Sequence, residues 1–358
     1  MTKTFELDRS APVLVTGATG YVAGWIVKSL LDAGVTVHAA VRDPDNRSRV
    51  AHLEAMAAAA PGRLRLFKSD LLEPGSYSEA MAGCRYVFHT ASPFITKVKD
   101  PQKELIEPAV HGTRNVLEEA SRTPSVRRVV LTSSTAAVYT DAAECAEAPG
   151  GCLTEASWNR TASLAYQPYS YSKTLAEQEA WKIAEGQTQW DLVVVNPSLV
   201  IGPATSRSPT SESFDVVRQF GDGTMATGAP RLALGVVDVR DLAQAHLAAA
   251  YTPSARGRHL VSVEGTTIYE LGKTLVEKYS GTYPIPRRVM PKFLAWLFGP
   301  ILSDVTRRFI ARNVDQPFRI DNSKSRRELG VSYRPIRESM EEMFQQMIEL
   351  GYFRKKKK

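Results

Sequence analysis

The chain has 358 residues, 43% hydrophobic and 23% charged, with 45 Lys and Arg against 38 Asp and Glu for a net charge of +7. This balance belongs to a folded chain with a substantial core, and it excludes a disulfide-stapled mini-protein, a disordered chain and a fibrous repeat. Residues 354–358 read RKKKK and supply five of the positive charges, so the rest of the chain does not imply a nucleic-acid-binding surface.

Three cysteines (Cys84, Cys145 and Cys152) are too few for a secreted disulfide framework and point to a reducing compartment. The spacing of Cys145 and Cys152 allows a disulfide without requiring one. Residues 1–10 are polar and lack the apolar run of a signal peptide. No stretch approaches the ~18 apolar residues of a membrane span. The nearest, 293–302 (FLAWLFGPIL), reads as a packed helix or a lid over a pocket, with peripheral membrane contact the less favoured reading. A cytoplasmic setting is expected, as a monomer or homodimer without an integral membrane segment.

In chain order, 13–15 is a short apolar strand, followed by the turn Thr16-Gly17-Ala18-Thr19-Gly20. Val22, Ile26, Val27, Leu30 and Leu31 then recur at helical spacing, with Gly34 at the expected C-cap. Residues 35–41 form a second strand and 63–67 a third. A short helix at 77–81 precedes a fourth strand at 86–89. A long helix over 108–121, a fifth strand at 128–131, a helix over 172–184 and a sixth strand at 191–195 continue the alternation. Strands alternating with helices predict an α/β fold, a Rossmann-type doubly wound parallel sheet. Beyond residue 196 the alternation breaks into a Ser/Thr/Pro-rich loop, a strand at 236–239, a helix near 242–251 and a region rich in aromatic and basic residues. The expected organisation is a dinucleotide-binding domain over 10–196, with returning segments near 236–262. A smaller C-terminal substrate-binding lobe takes 197–235 and 263–350, and 351–358 is a disordered basic tail.

Glycines at 17 and 20 let the backbone approach a pyrophosphate, and the helix that follows offers its N-terminal amides and positive dipole end. Thr19, Tyr21 and Val22 share that turn. The strand before it and the second strand after it are the context that makes the glycine pattern specific. The second strand ends Val41-Arg42-Asp43, where NAD enzymes usually carry Asp or Glu for the ribose hydroxyls. An Arg there suits a 2′-phosphate, so NADP is the expected cofactor, with Arg47 placed to assist. Asp70 and Leu71 follow the third strand, within reach of the adenine. Thr90, Ala91 and Ser92 follow the fourth, beside the central riboses.

Tyr169 and Lys173 lie four apart on one helix face. A phenol of pKa ~10 is a poor acid near neutrality, and an adjacent ammonium favours its phenolate, so the pair forms a tuned proton donor for a carbonyl oxygen. The fifth strand ends Leu131-Thr132-Ser133-Ser134-Thr135, whose hydroxyls can hold that oxygen. His89 and His111 lack metal-ligand spacing, and no metal is expected.

With these motifs the chain resembles the extended short-chain dehydrogenase/reductase superfamily, and within it the dihydroflavonol reductase, cinnamoyl-CoA reductase and yeast-type carbonyl reductase group. The resemblance runs over about residues 10–350. It includes Val87-Phe88-His89-Thr90-Ala91-Ser92-Pro93, Asn196-Pro197-Ser198-Leu199-Val200-Ile201-Gly202-Pro203 and Val237-Asp238-Val239-Arg240-Asp241. It implies a triad of Ser134, Tyr169 and Lys173, with Thr135 as the hydroxyl if the sugar-nucleotide epimerase pattern applies. Pro197 and Val200 would join the cofactor contacts. Tyr169 would donate the proton and Lys173 would hold the nicotinamide ribose.

Departures from the group bear on the substrate. Gln167-Pro168-Tyr169-Ser170-Tyr171-Ser172-Lys173 stands where cinnamoyl-CoA reductases carry Asn-Trp-Tyr-Cys-Tyr-Gly-Lys. Tyr139 stands where dihydroflavonol reductases commonly carry Asn. Phe94, Tyr139, Tyr166, Tyr171 and Phe214 are candidates for an aromatic substrate pocket. The expected activity is NADPH-dependent reduction of a hydrophobic or aromatic aldehyde or ketone. The alternatives are an NAD-dependent nucleotide-sugar epimerase or dehydratase, a hydroxysteroid dehydrogenase, and a non-catalytic NADP-sensing regulator.

Overall fold

In a computed structural model the structure describes residues 5–92, 98–302 and 305–353. Seven parallel strands form the central sheet: β1 (Val13–Thr16), β2 (Thr36–Val41), β3 (Arg63–Lys68), β4 (Tyr86–His89), β5 (Arg128–Thr132), β6 (Asp191–Pro197) and β7 (Gly257–Val261). Their spatial order is β7-β6-β5-β4-β1-β2-β3. Val13 to Val15 are an unbroken apolar run because helices cover both faces of the sheet, and all of Val13 to Thr16 is buried. The register Val13↔Val37 on one side and Val13↔Tyr86 on the other makes β1 the point where strand order reverses. A crevice opens there at the carboxyl ends of the strands, the usual ligand position in open parallel sheets.

Helices α1 (Tyr21–Asp32), α2 (Arg47–Ala58), α3 (Ser78–Met81), α4 (Glu107–Arg122), α5 (Pro168–Glu185), α6 (Glu212–Arg218) and α7 (Val239–Tyr251) follow in chain order. Four differ from the sequence-based expectation: α6 falls where only a loop is expected, α7 starts at Val239 and not near residue 242, and α2 and α5 differ for local reasons. α2 buries only Val50 and Leu53, so it carries too thin an apolar stripe to be read as amphipathic. α5 starts at Pro168 instead of residue 172, because Gln167 takes a left-handed conformation (φ 54°) and Pro168 supplies a preset first-turn φ. Tyr169 therefore belongs to the first turn of the helix.

One core lies on the sheet, with Val13, Ile26, Val130 and Val193 among its members. A second lies in the C-terminal half and is built on Phe214, Phe220, Phe344 and Met340. Phe214 is 2% exposed and meets Tyr21 edge to face at 5.2 Å. Truncating it to Ala removes a filled aromatic site from that core. Phe214→Ala is expected to cost about 3–5 kcal/mol of stability, measured by denaturant unfolding.

Candidate active site

The first turn of α1 has no side-chain cap at Gly20 and no acidic residue, so its leading amides face the crevice without an intrahelical acceptor. Gly17 holds φ +63°, and a Cβ there would lie 3.0 Å from the Ala91 Cα. The turn is a close-approach cradle that a side chain would fill. An uncapped helix start behind such a cradle fits a pyrophosphate. The Tyr21 side chain points elsewhere, its hydroxyl donating to the Gly202 carbonyl at 2.5 Å.

Thr16 ties the two strand ends that flank the crevice. Its Oγ1 accepts from the Thr90 and Ala91 amides at 3.1 Å each, and the Thr90 hydroxyl donates to its carbonyl at 2.6 Å. His89 pairs with the same Oγ1 at 3.0 Å, and burial, aided by the Lys173 charge, pushes its pKa down to about 3. His89 is thus a neutral structural link. Arg42 is exposed and forms no ion pair among the described residues, Asp43 included. Arg47, the other cation expected to assist, is held by Glu54 at 2.5 Å. Asp70 caps its own turn through the Leu72 amide at 2.8 Å. Leu71 packs where a Cβ on Gly112 would clash, and Asn115 donates to its carbonyl at 3.0 Å. Pro197 ends β6, and Val200 lies in the short strand Leu199–Ile201 paired with Val236–Asp238.

Lys173 reaches across from α5 to donate to Ser92 Oγ at 3.0 Å, and its Nζ lies 5.9 Å from the Tyr169 ring centroid. Burial lowers the Lys173 pKa to about 8, against an upward pull from Glu177. Although 43% of the Tyr169 surface is solvent-exposed along the cleft, desolvation around its hydroxyl raises its pKa to about 12. The Glu212 charge adds to that rise and the Ser134 hydroxyl opposes it. Ser134 and Tyr169 are therefore neighbours. Ser134 Oγ also accepts from the Ala136 amide at 3.1 Å, which fixes it as the cap of a 3-10 turn.

Sequence reasoning missed what holds this cluster. Glu177, one turn beyond Lys173, is 1% exposed. It accepts from Ser133 Oγ at 2.5 Å, Asn196 Nδ2 at 2.7 Å and Arg258 Nε at 2.6 Å. Asn196 also donates to the Ser134 carbonyl at 3.2 Å. Arg258 on β7 reaches the Ser157 carbonyl and stacks on Trp158 at 4.0 Å. The signal available in sequence was Glu177 itself, at i+4 from Lys173. Its partners come from β5, β6 and β7, which only the fold brings together.

The aromatic candidates separate. Tyr166 donates to Asp141 at 2.8 Å beneath the Arg308 guanidinium, while Tyr139 packs on Phe318. Tyr171 is partly exposed on α5, and Phe214 lies in the second core. Phe94 and the basic run 354–358 lie outside the described residues. Cys84, Cys145 and Cys152 are free thiols, and Cys145 donates to the Gly151 and Arg319 carbonyls. Among the described residues no group of His, Cys, Asp and Glu is arranged to hold a metal.

The family model described as NAD dependent epimerase/dehydratase matches residues 13–263. Cinnamoyl-CoA reductase CAD2 of Medicago truncatula is 41% identical over 270 residues, covering 75% of this chain and 80% of that protein. Anthocyanidin reductase of Arabidopsis thaliana is 32% identical over 368 residues, covering 99% and 98%. Among solved structures, Gre2 of Candida albicans in complex with NADPH superposes with a TM-score of 0.75 at 26% identity, over 95% of this chain and 99% of that one. The chain belongs to the NAD dependent epimerase/dehydratase family, on the reductase side of the extended short-chain dehydrogenases.

Proposed function

We propose that this protein reduces a hydrophobic aldehyde or ketone to the alcohol with NADPH, with Tyr169 as the proton donor. The protein is an oxidoreductase and NADP is its cofactor. The observation that carries the reading is the convergence of Ser134, Tyr169 and Lys173 at the crevice beside the Gly17 cradle. NADPH supplies the hydride when bound. The amides opening α1 would hold its pyrophosphate, Arg42 its 2′-phosphate, and Lys173 with Ser92 the nicotinamide ribose. Ser134 and Tyr169 would donate hydrogen bonds to the substrate carbonyl oxygen. As negative charge develops there, Tyr169 transfers its proton, and the nearby Lys173 ammonium stabilises the phenolate left behind.

A cytoplasmic setting is part of this proposal. Among the described residues no helix is long and apolar enough to cross a membrane.

A panel of hydrophobic aldehydes and ketones, followed by NADPH absorbance, tests the activity. Turnover confined to sugar nucleotides, with tightly co-purified NAD, would favour the epimerase reading instead. Arg42→Ala is expected to weaken NADPH binding by about 10- to 100-fold while leaving NADH nearly unchanged, since it deletes a charge-assisted contact to the 2′-phosphate alone. Isothermal titration with both cofactors checks this, and equal losses for both would remove Arg42 from that role.

A further inference from the structure

Asp141 is fully buried and binds two distant segments of the chain at once. Its Oδ1 accepts from the Tyr166 hydroxyl at 2.8 Å and from Asn313 Nδ2 at 2.6 Å, and its Oδ2 accepts from Arg312 Nε at 2.7 Å. Asn313 returns the contact by accepting from the Ala142 amide at 2.8 Å. A buried ion pair contributes little net stability, because desolvation offsets most of the attraction. What it contributes is position. Donors from the loop ahead of α5 and from the helix Arg307–Asn313 meet one carboxylate in one arrangement.

This arrangement lies between the two reacting hydroxyls. Tyr166 is pinned at its backbone as well, exchanging bonds of 2.8 and 3.1 Å with Ser163. The next residue is Gln167, whose φ of 54° costs free energy for any residue with a side chain. Such a conformation persists only where its neighbours enforce it. Tyr166 enforces it from one side, and the Pro168 ring, which presets the first turn of α5, from the other. Tyr169 follows directly, so its direction depends on where Tyr166 is held. On the other side, Asp141 lies on the short segment that leaves Ser134. Thr140 donates to Asn159 Oδ1 at 2.7 Å, and Asn159 Nδ2 donates at 2.7 Å to the Ala136 carbonyl, in the turn that Ser134 caps.

We propose that Asp141 is a positioning residue for the reduction: by holding Tyr166 against the segment that follows Ser134, it fixes the spacing of the Ser134 and Tyr169 hydroxyls. The helix Arg307–Asn313 holds the carboxylate there through Arg312 and Asn313. That helix is itself braced, since Arg308 lies over the Tyr166 ring at 3.9 Å and Ile310 and Val314 pack with Ala295 of the helix Lys292–Leu302. Burial and the Asp141 carboxylate push the Tyr166 pKa up, so its hydroxyl stays a donor. The C-terminal part of the chain thereby sets the geometry of two hydroxyls carried by the sheet domain. This role rests on the assignment of Tyr169 as the proton donor, and Asp141 acts only through Tyr166.

Tyr166→Phe deletes the bond to Asp141 and leaves the ring under Arg308. It is expected to lower the single-turnover rate of NADPH oxidation by about 10- to 100-fold, the scale of a donor displaced by about 1 Å. NADPH affinity is expected to stay within about threefold of the wild type, because the cofactor contacts lie elsewhere. The solvent deuterium isotope effect on that rate is expected to rise, since proton transfer from a displaced Tyr169 becomes the slow step. Arg312 is 34% exposed, so Arg312→Gln keeps the test open if Tyr166→Phe does not fold. It is expected to lower the same rate by about three- to tenfold. Both variants are expected to speed amide hydrogen exchange over the first two turns of α5 and to leave β1 to β4 unchanged. That readout needs no turnover. A wild type inert to every carbonyl would overturn the reduction, and hydrogen exchange would then decide the role of Asp141 by itself. Folded variants with the wild-type single-turnover rate, a loss that falls equally on NADPH binding, or unchanged exchange in α5 would each overturn that role. Lower unfolding stability with an unchanged rate would make Asp141 a structural residue only.

Discussion

Tyr169→Phe is expected to lower kcat by about 10²- to 10⁴-fold while NADPH binding stays within about threefold of the wild type. The substitution removes one oxygen from a side chain whose ring stays in place at the first turn of α5, so the cradle at Gly17, Arg42 and the Ser92–Lys173 contact are untouched. What is lost is the proton that neutralises the developing alkoxide. Ser134 cannot replace it, because a serine hydroxyl has no adjacent cation to stabilise its conjugate base, whereas Lys173 lies beside Tyr169. Stopped-flow turnover together with cofactor titration separates the two quantities. A variant reducing carbonyls at the wild-type rate would remove Tyr169 from the chemistry. A variant failing equally in NADPH binding would make it a structural residue.

The second large effect is on pH. Lys173 is the group near the chemistry with a pKa pushed down towards neutrality, to about 8. Its charged form is present below that pH and lost above it. Tyr169, raised to about 12, stays protonated throughout and contributes no limb near neutrality. The value of kcat/KM for NADPH reports ionisations of the free enzyme, so it is expected to fall as pH rises through about 8, approaching tenfold per unit beyond. The groups around Lys173 are Ser92, Tyr169, His89 and Glu177, and of these His89 stays neutral above about pH 3. Glu177 is the carboxylate that holds the Lys173 pKa up. Glu177→Gln is expected to move the descending limb to lower pH, and also to destabilise the fold by leaving Arg258 buried without its counter-charge. A flat profile between pH 6 and 9 in the wild type would show that the Lys173 charge does not enter cofactor capture.

Much of this site was legible because its signals are local. Gly17 and Gly20 announce a tight turn wherever they stand before a helix, and Tyr169 and Lys173 share a face because helical geometry puts i and i+4 together. The second strand likewise carries Arg42 to its end by simple counting. The start of α5 was misplaced because it depends on the left-handed Gln167, a conformation with no strong signature for that residue type. Helix α2 was missed because only Val50 and Leu53 reach the core. The aromatic candidates could not be sorted in advance. Tyr166, Tyr139 and Phe214 look alike in a sequence, yet one bonds Asp141, one packs on Phe318 and one fills the second core.

The sequence by itself determined the parallel α/β sheet, the glycine turn ahead of α1 and the shared helix face of Tyr169 and Lys173, since each depends on periodicity or spacing within a few residues. The tertiary structure alone decided what surrounds those groups. Ser133, Glu177, Asn196 and Arg258 lie on α5 and three neighbouring strands or their ends, and only the sheet order closes them into one buried cluster. The same holds for charge. Composition counts +7, but only folding decides which cations are paired: Arg258 meets Glu177 and Arg312 meets Asp141, while Arg42 stays exposed. Burial and long-range proximity are properties of the packed chain, and they set both the pKa of Lys173 and the pairing of these charges.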